Sequence, residues 1–552
     1  IGNGAFSNMT SLSTVTFPSS GRISIGDNAF SGDTALASLT TATGSLLRTS
    51  TPVTALEVTL PNCITSVGNN AFSNTNITNL KIDTDSNLTS VGNNAFGAVT
   101  TLTYNKDSVL PNNFFSAFNA LTTATLTGSN ITSLPGNFAD SLTTLNLAST
   151  GITSIPNGEF EGKSSLSSVT FPNTGLTSIG DRAFKGTALS APNLPASVKT
   201  IGASAFENDR SLTSIGNDAN AITSIGANAF KGTHLSSFTN TSALTTIGAS
   251  AFEGITQFTN NSNALNLPAV TSIGANAFKN TKISSVVLPS SNFTTINDGV
   301  FEGTSLTSVQ NTNNITSVGA NAFKDTQLTT FDATALKTIG ANAFKKTTSS
   351  SSTTSTFTLT GGDNITSIGA SAFENAGLRS FPGASSEGGR TGNNVLVSIG
   401  ESAFKNNKLT TFTAPASLTS IGASAFENND SLTSVDLSRT SLTSLPDNLF
   451  KTASHSGGAS GGQPHGLDLK LPTTINQITG NTFANSNLKT LDLSQNTFNS
   501  PDFPAAAFMN CEDLTEVSLP KNITTVHSDT FQNTPKLSKI TMPGSATRIE
   551  VN

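Results

Sequence analysis

Apolar residues come in two short bursts per unit, and the pair of bursts recurs from one end of the chain to the other. The first reads Leu-x-x-Leu-x-Leu-Pro, as at 166–172, 432–437, 488–493 and 514–520. Its apolar-x-apolar ending is strand alternation, with side chains inward at every second position, and the proline stops the strand. The second burst reads Ile-Thr-Ser-Ile-Gly, as at 222–226, 270–274 and 365–369. The glycine predicts a sharp turn with positive φ. Pro135, Pro156 and Pro446 take its place in some units, so the turn is expected to vary. The x-x-Ala-Phe that follows is read as one helical or 3₁₀ turn, in which alanine lets backbones approach and phenylalanine fills the interior.

These blocks end at Phe6, Phe30, Phe72, Phe96, Phe115, Phe138, Phe160, Phe184 and onward to Phe531. Most gaps are about 22–24 residues, and a fixed period in that range means a solenoid whose units bury their apolar faces only against their neighbours. A chain of 552 residues would otherwise predict three or four globular domains. The expectation is instead one α/β solenoid over 1–552, of about 22 coils and roughly 100 Å long. A parallel sheet would line one face and short helical turns and loops the other. Stacked phenylalanines would form an aromatic spine of offset or edge-on contacts.

The repeat resembles the BspA-like branch of leucine-rich-repeat proteins, whose units read Leu-x-x-Val-x-Ile-Pro, then Val-x-x-Ile-Gly-x-x-Ala-Phe-x-x-Cys. The resemblance covers nearly the whole chain. The cysteine three residues after phenylalanine is kept once, as Cys511 after Phe508; Thr187, Thr233, Thr281 or Asn429 stands there in other units. That departure argues against a role for buried thiols and leaves the fold untouched. The resemblance implies a surface-exposed or secreted adhesion module that binds matrix glycoproteins or other cells.

Charge adds a second periodicity. The residue after the repeat phenylalanine alternates in sign through Glu161, Lys185, Glu207, Lys231, Glu253, Lys279, Glu302 and Lys324, then, after one break at Lys345, through Glu374, Lys405, Glu427 and Lys451. The neighbouring residue co-varies: Ala-Asn-Ala-Phe-Lys begins at Ala227, Ala275 and Ala320, against Ala-Ser-Ala-Phe-Glu at Ala203, Ala249 and Ala423. Part of the array therefore reads as duplication of a two-coil unit of about 46 residues. Equivalent positions stack at about 5 Å, so alternating charges would form a ladder and a one-coil slip would juxtapose like charges.

Composition excludes more than it assigns. Only 11% of residues are charged and the net charge is −6, which rules against a nucleic-acid surface built on clustered Lys and Arg. Roughly three residues in ten are Ser or Thr, expected as solvated rows between the buried ones. No apolar run approaches the ~18 residues of a membrane span. Both ends fall inside a repeat, so the chain reads as truncated at each end, and the absence of a targeting signal is uninformative. Cys63 and Cys511 lie about 18 coils apart, roughly 85 Å at ~4.8 Å per coil, which excludes an intrachain disulfide.

Four stretches break the period: 34–61, which could hide a degenerate coil, and 346–356, 383–394 and 451–466, which are rich in Ser, Thr and Gly. They are expected to be surface loops. His455 and His465 share the last of them without cysteine or nearby carboxylates, so no metal is expected. His234 and His527 sit at ordinary repeat positions, read as surface. Asp83-Thr-Asp-Ser-Asn87 resembles the start of a calcium loop but lacks its glycine and closing glutamate. No nucleophile motif, phosphate loop or paired zinc signature occurs, and no cofactor or enzymatic activity is expected. Asn-x-Ser/Thr sequons at Asn76, Asn87, Asn130, Asn314 and Asn364 follow from the repeat phase. The leading expectation is an extracellular or cell-surface adhesion or recognition protein with host or neighbouring-cell proteins or glycoproteins as partners. The alternative is a self-associating filament or sheath.

Overall fold

The computed structural model describes residues 1–42, 57–216, 222–238, 241–260, 263–347, 356–381, 395–452 and 466–550. The segment 383–394, most of 346–356 and 451–466, the core of 34–61, and with them His455 and His465, lie outside the described residues. The fold is a parallel β-solenoid of about 21 turns with few helices. It divides into two compact units, Ile1–Asn261 and Ser262–Asn552.

Each unit carries parallel sheets of two kinds, one built from each apolar burst. In the first unit the first bursts form a six-stranded sheet through Val58–Thr59, Asn79–Ile82, Thr101–Tyr104, Thr123–Gly128, Thr144–Thr150 and Ser168–Thr170. Leu80, Leu102, Ala124, Leu145 and Val169 stand in register along it and are buried. The second bursts pair as two-residue strands, Ser154–Ile155, Ser178–Ile179, Thr200–Ile201, Ser224–Ile225 and Thr246–Ile247. The second unit repeats the scheme, with Thr295–Ile296 through Ser420–Ile421 in one sheet and Thr411–Thr413 through Lys539–Thr541 in another.

The glycine expectation is corrected. Gly226 and its counterparts Gly202 and Gly248 are absent from the positive-φ residues. They are needed because the coils touch there: a Cβ on Gly226 would lie 2.4 Å from the Ala203 nitrogen and 2.5 Å from the Gly202 carbonyl carbon. The left-handed residue stands two positions before phenylalanine instead, as Asn28, Asn70, Asn228 (φ 56) or Ser204 (φ 55). A second left-handed position lies two after it, filled by Asn208, Asn280, Gly232 or Gly254.

That geometry also removes the expected helical turn from most coils. A left-handed residue interrupts any right-handed run, and alternate amides of the segment point to the next coil, while the Ala229 and Lys231 amides close single turns onto the Gly226 and Asn228 carbonyls at 3.3 and 3.1 Å. Asn228 N–H donates to the Ala249 carbonyl and Phe230 N–H to that of Ala251, each at 2.9 Å. Short 3₁₀ helices occur at Phe114–Ala117 and Thr312–Asn314.

The aromatic spine is present. Phe206–Phe230, Phe323–Phe344 and Phe373–Phe404 stack with centroids 5.6, 5.4 and 5.6 Å apart and rings within 11° of parallel. Phe238, Phe331 and Phe381 approach it edge-on or tilted. Phe30 stacks directly on Phe72 at 5.1 Å, so 34–61 does not contribute a spine coil of its own. Phe115 is one of two spine residues in its coil. Phe118 stacks on Phe96 at 5.6 Å, whereas Phe115 stacks on Phe138. The two are three residues apart, Phe115 within the 3₁₀ helix Phe114–Ala117 and Phe118 at its C-terminal cap. One extra turn thus serves two registers.

Candidate interaction surfaces

Three features recur from coil to coil, two at the surface and one buried. On the second-burst sheets, Ser154, Ser178, Thr200, Ser224 and Thr246 form one hydroxyl row in the first unit. Thr295, Ser317, Thr338, Ser367, Ser398 and Ser420 form its counterpart in the second. Hydroxyls bond along the row: Thr246 Oγ1 donates to Ser224 Oγ and Thr338 Oγ1 to Ser317 Oγ, both at 2.8 Å. The preceding threonine is committed to the fold. Thr223 Oγ1 donates to the Lys199 carbonyl at 3.1 Å and Thr245 Oγ1 to that of Thr223 at 2.9 Å. On the first-burst sheet, Thr101, Thr123, Thr144 and Ser168 stand in register, as do Thr103, Thr125, Asn146 and Thr170.

The second feature is the charge ladder, and it forms. Lys185–Glu207, Lys231–Glu253, Lys279–Glu302, Lys345–Glu374 and Lys405–Glu427 pair across adjacent coils at 2.7–3.1 Å. Glu302 also takes Lys324, at 3.2 Å. The glutamates are the less exposed partners. Burial pushes the Glu374 carboxyl up, but hydrogen bonds from Lys345 and Ser371 and the charges of Lys345 and Lys405 hold it below its ordinary value. The sign break at Lys324 and Lys345 puts no lysine out of reach of a carboxylate, because each turns to the glutamate on its other side. The double variant Lys324→Glu/Lys345→Glu places four consecutive acidic coils in the column. It should lose about 1–2 kcal/mol at low ionic strength and less at high salt. Thermal midpoints across a salt series check this, and a loss independent of salt would mean that the column is not acting through charge.

The third feature is the position three after phenylalanine, where the resemblance places a cysteine. It is a buried polar plug. Thr233, Thr281, Thr304 and Thr326 each donate Oγ1 to the phenylalanine carbonyl of their own coil at 2.8–2.9 Å, and Thr187 Oγ1 shares its one proton between the Phe184 carbonyl at 3.0 Å and Asp209 Oδ2 at 2.9 Å. Asn429 Nδ2 reaches the carbonyls of both Phe404 and Phe426 at 2.9 Å. Cys511 Sγ donates to the Phe483 carbonyl at 3.0 Å, and burial pushes its thiol up. Cys63 is likewise buried and unbridged. Asp209 fills the same place as a buried carboxyl, raised to about 6 first by desolvation, against opposing hydrogen bonds from Thr187, Ser211, Leu189 and Leu212.

The remaining sequence candidates take structural roles. Asp83 pairs with Lys81 at 2.8 Å, Asp85 accepts from Asn62, and Asn87 donates to the Asn62 carbonyl, so the three do not converge on one point. Among the described residues no group of three His, Cys, Asp or Glu side chains is placed to hold a metal. His234 is exposed, and His527 Nδ1 lies 2.8 Å from Glu550. The sequon amides of Asn87, Asn314 and Asn364 donate to carbonyls of the preceding coil at 2.6–2.9 Å. That stitch explains the recurring Asn-x-Thr. No described helix is long and apolar enough to cross a membrane.

A family model described as the BspA-type leucine-rich-repeat region matches six times, over residues 1–49, 50–146, 137–259, 271–387, 390–457 and 467–552. Similar solved structures include a leucine-rich cell surface protein from Faecalibacterium prausnitzii, at 20% identity over 71% of this chain and 83% of that one, with a TM-score of 0.31. A leucine-rich repeat protein from Bacteroides ovatus shares 17% identity over 74% and 82%, with a TM-score of 0.34. The pneumococcal vaccine antigen PcpA shares 17% over 78% and 85%, with a TM-score of 0.27. Among curated proteins nothing matches.

Proposed function

The chain belongs to the BspA-type leucine-rich-repeat family, and on that premise we propose that it is an extracellular or cell-surface recognition protein that adheres to proteins or glycoproteins of a host or neighbouring cell. One observation carries this reading. The chain repeats the same small hydroxyl rows coil after coil while its aromatic residues go inward: there is no Trp, and Tyr104 is buried. Compact interfaces draw their energy from a few Trp, Tyr and Arg anchors. A surface with no Trp, no exposed Tyr and only a few scattered Arg gains affinity by summing many weak polar contacts over an extended partner, which is how adhesion to a matrix or cell coat works.

The test is retention of cells and immobilised matrix glycoproteins by the purified chain, with its mass followed by light scattering over a concentration series. Saturable retention by a chain of constant mass supports adhesion. No retention, with mass growing as concentration rises, overturns it in favour of a self-assembling surface layer.

A further inference from the structure

The register shift at Phe115 and Phe118 leaves a mark on the surface of the first unit. From Glu161 to Lys451 the residue after the spine phenylalanine is a long Lys or Glu. Here the position carries Asn119 after Phe118 and Ala139 after Phe138. The charge ladder begins only at Glu161, and just before it, where these small side chains stand, a depression of about 930 Å³ opens. That is the size range of small-molecule sites. Its rim is made of side-chain amides: Asn93, Asn94, Asn113, Asn119 and Asn137.

The hydrogen bonding of those amides is half used. Asn93 Oδ1 accepts from Ser116 at 2.8 Å, and Asn113 Oδ1 accepts from Asn137 Nδ2 at 3.1 Å. Asn119 Nδ2 donates to Asn94 Oδ1 at 2.9 Å. Each bond uses one end of an amide. Among the described residues, the Nδ2 groups of Asn93 and Asn113 and the Oδ1 groups of Asn119 and Asn137 therefore still offer donors and acceptors side by side. The one charge pair, Lys163 with Asp140 at 2.5 Å, neutralises itself. The phenylalanines below, Phe115 and Phe138, are buried and offer no stacking face.

We propose that this depression is a binding subsite for a neutral saccharide. A sugar hydroxyl both donates and accepts, and neighbouring hydroxyls match the alternating N–H and C=O ends of planar amides. A phosphate or other polyanion would need uncompensated cations, which the site lacks. An apolar or aromatic ligand would need a mainly apolar lining, whereas this one is mainly polar. The proposal deepens the adhesion reading by naming a ligand class, and it rests on that reading only for the cell-surface setting.

The experiment uses the full chain and a panel of free saccharides: galactose, mannose, N-acetylglucosamine and maltose, with sialyllactose as the charged control. Saturation-transfer NMR reads binding. The expected result is saturable binding of at least one neutral sugar. It should weaken at least five-fold in the double variant Asn93→Ala/Asn113→Gly, in which glycine keeps the left-handed backbone of residue 113. It should weaken similarly in Asn119→Trp, which fills the depression from an exposed position, with thermal midpoints recorded for each. Absence of saturable binding, preference for the charged sugar, or binding unchanged in folded Asn119→Trp overturns the site. Cell retention of the same variants is read separately. Sugar binding without retention keeps the site and removes the adhesion reading; retention without sugar binding does the reverse.

Discussion

Replacing Gly226 by alanine should destabilise the chain by about 3 kcal/mol or more, although it adds one methyl group to a position with an ordinary backbone. The methyl carbon would fall 2.4 Å from the Ala203 nitrogen and 2.7 Å from the Ala203 Cα, all backbone of the preceding coil. A clashing side chain changes rotamer; a clashing backbone has to move. Moving it separates the coils where the amide of Gly226 donates to the Ile201 carbonyl at 2.8 Å and where Phe230 stacks on Phe206. Gly254→Ala is the matched control. Gly254 has φ +76 and nothing within 4 Å of its would-be Cβ, so it should cost only the left-handed penalty of about 1–2 kcal/mol. Gly254→Asn should cost less, because Asn208 and Asn280 already occupy that place in other coils with positive φ. Urea unfolding of the three variants reads the order. Because a repeat array is held together by nearest-neighbour interfaces, the Gly226 variant should also broaden or split the transition. Equal losses in Gly226→Ala and Gly254→Ala would mean that turn conformation, and not coil contact, fixes the glycine.

That contrast marks the limit of what the sequence discloses. The strands, the spine and the ladder are legible because each is a side-chain periodicity, and the period alone decides which residues meet. The role of Gly226 is not, because contact between backbones of successive coils leaves no side-chain trace, and a glycine in sequence looks the same whether it serves φ or space. The left-handed positions did carry a signal. Asparagine tolerates αL best among residues with a side chain, and it recurs two before phenylalanine at Asn28, Asn70, Asn94, Asn228 and Asn276. Serine at 204, 250 and 424 in the same conformation hides the pattern. The helical turn was over-read for the same reason, since Ala-Phe is compatible with a helix until the residue before it is known to be left-handed. The amide-lined depression was foreshadowed by the crowding of Phe114, Phe115 and Phe118. Only the stacking partners reveal that two registers meet there.

Asp209→Asn should stabilise the chain at neutral pH and weaken it slightly in acid. Asp209 is fully buried, and its carboxyl oxygens are met only by neutral donors. Thr187 Oγ1 and Leu189 N–H reach Oδ2 at 2.9 and 3.0 Å, and Ser211 N–H reaches Oδ1 at 3.2 Å. No cation offsets the loss of water, so the folded carboxyl titrates near 6 against 3.8 for the free group. Below pH 3.8 both states are protonated and the fold keeps its full stability at this site. As pH rises through about 6 the unfolded chain ionises more readily and stability is lost. Some two units correspond to about 3 kcal/mol, from which roughly 1 kcal/mol is deducted for the disturbed Ser211 bond. Asparagine avoids the loss at every pH and has a working precedent at Asn429, which donates to two phenylalanine carbonyls and accepts from Leu409 N–H. The variant should therefore gain about 2 kcal/mol at pH 8, with the gain crossing zero between about pH 4 and 5 and becoming a loss of about 1 kcal/mol in stronger acid. Denaturant unfolding at several pH values measures it. A gain that does not change with pH, or a loss at pH 8, would show that the carboxylate is satisfied where it stands. The same reasoning extends to Asp33, buried at the equivalent place, where Met9 N–H reaches one oxygen and the other has no partner. Burial pushes this carboxyl up too, so the first unit carries two coils that tighten on acidification, and replacing both aspartates should flatten its stability profile further than either change alone.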